Sequence, residues 1–307
     1  MTETTSSAVE CPTERAILQT LAYFEVFSYP LSEEEVFTFC TEISTTREEV
    51  SKNLQTLVKQ GFAFQFGDFF QVKNDANRAA QRLECNIRAD RFLPIARDMA
   101  HFIGRFPFVR AVFVSGSLSK HCMRPESDID YFVVTEPGRL WLARTVLVLF
   151  KKIFLLNSHK YFCINYFVDT EHLEIEEKNL FTATETVTLL PMWGREFYET
   201  FCRANLWARQ IYPNFKQRPT AAVPSHSRGF LKKILETMLA GKLGDGLDQK
   251  AMRLTVGFWK RKFRHMDHQT FDLALKSRRG VSKHHPLHFQ QKVLERFQEN
   301  LQRVYAT

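Results

Sequence analysis

The chain has 307 residues, of which 44% are hydrophobic and 25% charged, a composition that is ordinary for a globular protein and suits two or three modest domains. Lysine and arginine outnumber aspartate and glutamate by 42 to 34, and the net charge of +8 favours polyanionic partners such as nucleotides or nucleic acid. The six cysteines form no Cys-x-x-Cys pair, which argues against a zinc ribbon or a disulfide framework, and the N-terminus lacks a signal-peptide pattern, so we expect a cytoplasmic protein.

Residues 12–74 contain three predicted helices and a hairpin. Apolar residues at helical spacing predict the first helix, and capping boxes that begin at Ser32 and Thr46 predict the other two. Alternating phenylalanines precede a Gly67-Asp68 turn, which indicates a hairpin. This order of elements resembles a winged helix-turn-helix domain. The third helix mixes basic and acidic residues, so we favour a protein-docking or substrate-positioning role over sequence-specific DNA binding.

Residues 78–212 form the predicted central domain. It begins with a helical region that we expect to be interrupted near Pro94, and two further helices are expected between residues 180 and 210. The apolar runs "VRAVFVSG", "DIDYFVVT" and "YFCINYFVD" predict three buried strands. Residues 137–157, between the second and the third run, predict a helix. Lysines interrupt the apolar stretch of the helix, and each half is too short to cross a bilayer, so we expect no membrane partner.

The last third of the chain divides into a linker and a basic tail. Residues 213–229 hold three prolines and several small polar residues, which is typical of a linker, and residues 230–307 are predicted as a basic helical tail. Within the tail, the run "FWKRKF" interleaves basic and aromatic side chains, a pattern that can bind nucleic acid through phosphate contacts and base stacking. A solvated face of an amphipathic helix explains the run equally well.

The stretch "VSGSLSKHCMRPESDIDYFVVT" is the strongest candidate for a functional site. In a strand, Asp128 and Asp130 would share one face and repel each other, and Mg²⁺ would relieve that repulsion. Gly116 would let the backbone approach a phosphate, the Ser117 hydroxyl would donate to it, and Lys120 would add positive charge. The alternative is a polar turn that runs into a strand.

The pattern Gly-Ser, ten residues, then Asp-x-Asp between apolar segments resembles the polymerase β-like nucleotidyltransferase superfamily, especially its minimal and antibiotic-type members. The resemblance covers residues 109–170. It implies an α+β fold with a mixed sheet flanked by helices, two Mg²⁺ ions, and transfer of a nucleotidyl group from a nucleoside triphosphate to an acceptor hydroxyl on a small molecule, a protein or an RNA end. By the same resemblance, Gly116 and Ser117 hold the triphosphate while Asp128 and Asp130 hold the metals.

Two positions depart from the family pattern. The minimal members often have glycine where this chain has His121, and that side chain would narrow the pocket or touch the nucleotide. The family normally supplies a third carboxylate from a neighbouring strand, and here the strand offers Asn165 in its middle and Asp169 at its end.

Strand alternation places Asn165 and Asp169 on one face, with Asp169 about 13 Å further along. An amide cannot accept a proton at neutral pH, and Asp169 has the alternative role of capping the following turn. We therefore expect a two-carboxylate metal site assisted by Asn165. The alternative to a slow enzyme is a nucleotide-sensing winged-helix regulator that has lost activity.

Overall fold

The computed structural model describes residues 11–42, 45–156, 160–284 and 289–306, and this part of the chain is an α+β protein. The described helices are α1 Pro12–Glu25, α2 Glu33–Phe39, α3 Arg47–Lys59, α4 Ala76–Gly104, α5 Leu140–Phe154, α6 Leu180–Thr188, α7 Arg195–Ala204, α8 Leu206–Ile211, α9 Phe230–Met238, α10 Gly241–Lys262, α11 His268–Ala274 and α12 Phe289–Ala306. The described strands are β1 Leu31–Ser32, β2 Phe64–Phe66, β3 Phe69–Gln71, β4 Val109–Ser115, β5 Asp130–Thr135, β6 Cys163–Asp169, β7 Leu190–Trp193, β8 Ser277–Arg278 and β9 Val281–Lys283.

The N-terminal unit has the three predicted helices and the predicted hairpin. Both capping boxes are formed, because the Ser32 and Thr46 hydroxyls accept the backbone N–H groups of Glu35 and Glu49 and those glutamates bond back. A short strand, β1, pairs with β3 and completes an antiparallel sheet of order β1-β3-β2. The turn between β2 and β3 contains Gly67 at φ +59°, a conformation that favours glycine.

The central unit is a mixed sheet with helices on both faces. Its order is β7-β4-β5-β6-β9-β8, and β5 and β6 are parallel because α5 crosses between them, whereas the other pairs are antiparallel. One face packs on residues of α4, α5 and α10, and the other on residues of α7. The predicted α+β class and the mixed sheet are confirmed.

One prediction about the central elements is wrong, and one strand was not predicted. Helix α4 runs without interruption through Pro94, since proline removes only one helical hydrogen bond and the buried Ala89, Ala96 and Ala100 pack that helix on the sheet. The structure also contains strand β7. The apolar run "LLPMW" did not predict this strand, because the run is short and includes a proline. As the strand at the sheet's edge, β7 tolerates Pro191, which pairs with Phe113.

The tail differs from the purely helical region that we predicted. Strands β8 and β9 extend the sheet beyond β6, with Lys283 opposite Tyr166, and they are too short to produce a readable alternation. Helix α12 packs on α1, where the rings of Tyr23 and Phe297 lie 5.7 Å apart. Residues 213–229 have no helix or strand, as a linker would, yet Arg218 donates to the Ser119 carbonyl and holds this segment on the body of the protein.

None of the described helices combines the length and the apolar character that crossing a bilayer requires.

Candidate functional site

The loop after β4 is tight and held by its own hydrogen bonds. Gly116 has φ +68°, and a single 3-10 turn over Leu118–Lys120 follows it. The carbonyl of Ser117 accepts the backbone N–H groups of Lys120 and Cys122. A turn of three residues presents no array of free N–H groups, so a phosphate at this loop would depend on the Ser117 side chain and on local backbone.

Gly116 is needed because of Asp130. A Cβ atom at position 116 would lie 2.5 Å from the Asp130 Oδ2 atom, closer than any non-bonded carbon and oxygen can approach. The sequence suggested that this glycine admits a phosphate, and the structure shows that it admits a carboxylate. The glycine therefore brings the loop and the start of β5 together.

The two aspartates line the same cavity, but they do not occupy one strand. Asp130 is the first residue of β5, whereas Asp128 lies in the loop before it, so strand alternation is not what brings them together. Burial raises the pKa of Asp130 to about 6, the charges of Asp128 and Glu185 raise it as well, and hydrogen bonds from Cys163 and Asn165 oppose the rise. The expected repulsion between the two carboxylates is therefore present.

A β-bulge places Asn165 beside Asp130. Tyr131 pairs with Ile164 and the next residue of β5 pairs with Tyr166, so Asn165 is the extra residue of β6. The Asn165 Nδ2 atom donates to the Asp130 Oδ1 atom at 3.1 Å. The amide thus holds the carboxylate in position, which is the assisting contact that the sequence suggested.

Asp169 lies away from the site, at the opposite end of the paired strands. It pairs with Thr135, five residues along β5 from Asp130, which is about 17 Å. Its side chain is buried and accepts hydrogen bonds from the Glu171 backbone N–H at 3.0 Å and from the His172 Nδ1 atom at 2.6 Å. Asp169 therefore caps the turn that follows β6.

The expected shared face of Asn165 and Asp169 is also wrong, because the bulge breaks the alternation. Asn165 and Tyr166 both line the cavity, although they are consecutive residues. Phe167 packs in the cluster on the opposite face, as Ile164 does three residues earlier. Alternation after the bulge puts Asp169 on that opposite face.

Two residues near the aspartates were missed by reasoning from sequence. Glu185 of α6 accepts a hydrogen bond from the Lys120 Nζ atom at 2.7 Å, and Lys120 also donates to the Gly116 carbonyl at 3.0 Å. The Cys163 thiol is beside Asp130, and burial first and the Asp130 charge second raise its pKa to about 12. Lys120 is thus already paired with a carboxylate. The one sequence signal for Glu185 is its position on the helical face that also carries Phe181.

The aspartates open into a cavity of about 770 Å³ that three parts of the chain enclose. The sheet supplies the polar floor, and helices α1, α6 and α12 supply an apolar wall that includes Phe24, Phe181 and Phe289. The N-terminal unit is attached at this point, because the Tyr29 hydroxyl donates to the Lys120 carbonyl and Arg124 donates to the Phe27 carbonyl at 2.5 Å. A cavity of this size holds a small-molecule ligand in most proteins.

His121 neither narrows the cavity nor points into it. Its backbone has φ +56°, the left-handed region that favours glycine, and its Nε2 atom lies 2.7 Å from the Asp90 Oδ1 atom of α4. Glycine would adopt this backbone conformation without strain, and the contact with Asp90 holds the histidine outside the cavity.

The carboxylate oxygens of Asp128 and Asp130 are of the chemical kind that Mg²⁺ takes as ligands. In the part of the chain that the structure describes, no three His, Cys, Asp or Glu side chains are grouped to hold a metal by themselves. Asp128 and Asp130 offer carboxylate oxygens, and Mg²⁺ commonly takes one or two carboxylates and completes its shell with water and substrate phosphates.

Comparisons with family models, with curated proteins and with solved structures found no match. We therefore argue function from the residues of this chain.

Proposed function

We propose that the protein is a Mg²⁺-dependent nucleotidyltransferase that moves a nucleotidyl group from a nucleoside triphosphate to an acceptor hydroxyl. The observation that carries the proposal is that Asp128, Asp130 and the Gly116-Ser117 loop line one cavity of about 770 Å³. Two carboxylates and a hydroxyl donor are groups that this reaction needs at one place, and Gly116 is what lets the loop with the hydroxyl lie against Asp130. In the same proposal the central sheet is a nucleotidyltransferase fold and residues 12–74 are a winged helix.

The reaction forms a bond between the acceptor oxygen and the α-phosphorus and breaks the bond from that phosphorus to the oxygen it shares with the β-phosphate. Pyrophosphate leaves, and the acceptor hydroxyl gives its proton to water in the cavity. Mg²⁺, when bound, would supply charge neutralisation on the phosphates and would make the acceptor hydroxyl more acidic. Asp128 and Asp130 would hold the ion, and Asn165 fixes the Asp130 carboxylate through its hydrogen bond.

Other residues that line the cavity would bind the phosphates, hold the loop in place and form its apolar wall. Ser117 lines the cavity and is placed to donate to a phosphate oxygen. Lys120, paired with Glu185, neutralises a carboxylate of the cavity wall and anchors the loop through the Gly116 carbonyl. The phenylalanines of α1, α6 and α12 give the cavity an apolar wall opposite the aspartates, on which the base or an apolar part of the acceptor could pack.

A second candidate is a nucleotide-sensing regulator with no turnover. The observation that favours it is Asn165, because an amide stands where a third carboxylate would accept the acceptor's proton. In this reading the Tyr29 contact with the Lys120 carbonyl connects the nucleotide loop to the N-terminal unit, which then reports occupancy to a partner.

Pyrophosphate release separates the two candidates. The purified protein is incubated with each nucleoside triphosphate, Mg²⁺ and an extract of small metabolites or RNA. The enzyme releases pyrophosphate, Asp130→Asn abolishes the release, and Glu126→Gln leaves it unchanged because Glu126 is exposed in the same loop. Mg²⁺-dependent nucleotide binding that is lost in Asp130→Asn, with no pyrophosphate release from any extract, identifies the regulator.

A further inference from the structure

Helix α9 turns its apolar face to solvent and its charged face to the protein. Leu231, Ile234, Leu235 and Met238 follow the i, i+3, i+4, i+7 spacing of one helical face, and all four are exposed, with Leu231 at 74% and Met238 at 67%. A surface helix normally does the opposite. No described part of the chain therefore covers this apolar face.

Buried polar contacts fix this orientation. The Lys232 Nζ atom donates to the carbonyls of Gly104 at 2.8 Å and Val109 at 2.6 Å, and the Glu236 carboxylate accepts hydrogen bonds from the Phe108 backbone N–H at 2.7 Å and from Arg110 at 2.8 Å. Rotating the helix to bury its apolar face would break all four contacts. The outward apolar face is therefore built into the fold.

Helix α10 continues the same pattern. Leu243, Leu247, Leu254 and Phe258 are spaced by four, seven and four residues, which keeps them on one side of the helix, and each is exposed. The inward side carries the buried Trp259. Two consecutive helices thus present large apolar side chains to water.

Basic residues accompany this apolar surface, whereas the acidic residues of the two helices are engaged with the rest of the protein. Asp245 pairs with Arg139 at 2.5 Å and Asp248 accepts the Leu142 backbone N–H at 2.8 Å, as Glu236 is held by Arg110. The exposed basic side chains from α9 to the end of α10 and just beyond it are Lys233, Lys242, Lys250, Arg253, Lys260, Arg261, Lys262 and Arg264.

We propose that α9 and α10 dock on an anionic lipid bilayer and lie in its interface, with their leucines in the acyl region and their lysines and arginines at the headgroups. A bilayer of this kind offers both an apolar interior and negative charge, and this combination is what the two helices present. The proposal departs from our expectation of no membrane partner, which rested on the lack of a stretch long enough to span a bilayer.

Two other occupants fit less well. RNA offers negative charge but no apolar layer, and the aromatic part of the run "FWKRKF" is reduced, because Trp259 is 4% exposed and packs against Trp141, whereas Phe258 lies on the exposed face that carries the leucines. A second copy of the chain offers an apolar face, but a symmetric contact would bring eight basic side chains against the same eight.

Co-sedimentation with vesicles tests the proposal on the full chain. We expect binding to vesicles of phosphatidylcholine mixed with phosphatidylserine, and little binding to phosphatidylcholine alone. Lys260→Glu plus Arg261→Glu should lower the partition coefficient about thirtyfold or more, since each basic residue near the surface contributes about 1 kcal/mol. Leu231→Gln plus Leu235→Gln should abolish binding. Both pairs are exposed, so the fold should tolerate the changes.

Matched controls lie elsewhere on the surface. Lys52→Glu plus Lys59→Glu makes the same charge change on α3, and Leu83→Gln plus Ile87→Gln removes two exposed apolar side chains of α4; neither should alter the partition coefficient.

Three results would overturn the proposal. The first is an absence of binding to either type of vesicle. The second is a lipid-free dimer in sedimentation that Leu231→Gln plus Leu235→Gln dissociates, which would assign the surface to a second copy. The third is RNA binding that the charge variant weakens and the leucine variant does not, without vesicle binding, which would assign the surface to nucleic acid.

Discussion

Replacing Asp130 by asparagine should stabilise the fold at neutral pH and leave it unchanged in acid. Burial raises the pKa of this carboxyl from 3.8 to about 6 in the folded chain, with Asp128 and Glu185 contributing. The folded state therefore binds more protons than the unfolded state between those two values, so the free energy of unfolding falls as pH rises through this window. Asparagine carries no charge, so the free energy of unfolding of the variant does not fall in this way as pH rises.

The size of the effect follows from the pKa. A rise from 3.8 to about 6, at about 1.4 kcal/mol for each pKa unit, corresponds to a loss of about 3 kcal/mol that is complete above the folded-state pKa. The advantage of Asp130→Asn over the parent chain should grow by about this amount between about pH 4 and pH 7. Asn165 can still donate to the new amide oxygen, so the local hydrogen bond survives.

Urea unfolding at a series of pH values measures the difference. Contributions from titrating groups that do not face Asp130 cancel between parent and variant, and Glu126→Gln controls for the loss of one negative charge in an exposed part of the same loop. A stability difference that stays constant from pH 4 to pH 7, or that favours the parent chain at neutral pH, would show that Asp130 is not a destabilised carboxylate.

Three further predictions concern the same site. Gly116→Ala should abolish triphosphate binding and destabilise the fold by more than Gly67→Ala, because both glycines have positive φ but only at position 116 would the new Cβ meet a carboxylate; urea unfolding and nucleotide titration compare the two. Asn165→Asp should increase Mg²⁺-dependent turnover while Asp169→Asn leaves it near the parent value, and a large loss confined to Asp169→Asn in a folded protein would contradict the placement of that residue as a turn cap. Tyr29→Phe should cost about 1 kcal/mol in unfolding free energy through the lost hydrogen bond to the loop, and an unchanged value would mean that this contact contributes nothing.

The sequence predicted those helices and strands that depend on residues close to one another in the chain. The capping boxes at Ser32 and Thr46 are formed, and the strands before and after the Gly-Ser loop lie where the apolar runs put them. The closeness of Gly116 to Asp130 was not predictable, because it depends on the register between β4 and β5. Spacing of residues along a chain indicates which side chains share an element, and pairing decides which atoms meet.

The remaining errors come from contacts between distant parts of the chain. The bulge at Asn165 is held partly by the His284 backbone N–H, which donates to the Asn165 carbonyl from just beyond β9. Strands β8 and β9 carry too few residues to show a period, so neither they nor the bulge had a sequence signal. The apolar wall of the cavity likewise comes from α1 and α12, near opposite ends of the described chain.

The most direct test of nucleotidyl transfer follows two phosphorus labels in parallel. The protein, Mg²⁺ and an acceptor extract are incubated with a nucleoside triphosphate labelled at the α-phosphorus, and separately with one labelled at the γ-phosphorus. The proposed reaction transfers the α label to the acceptor and releases the γ label as pyrophosphate, and Asp130→Asn stops both events. Transfer of the γ label, or release of the γ label as inorganic phosphate with no α label on any acceptor, would contradict nucleotidyl transfer at this site.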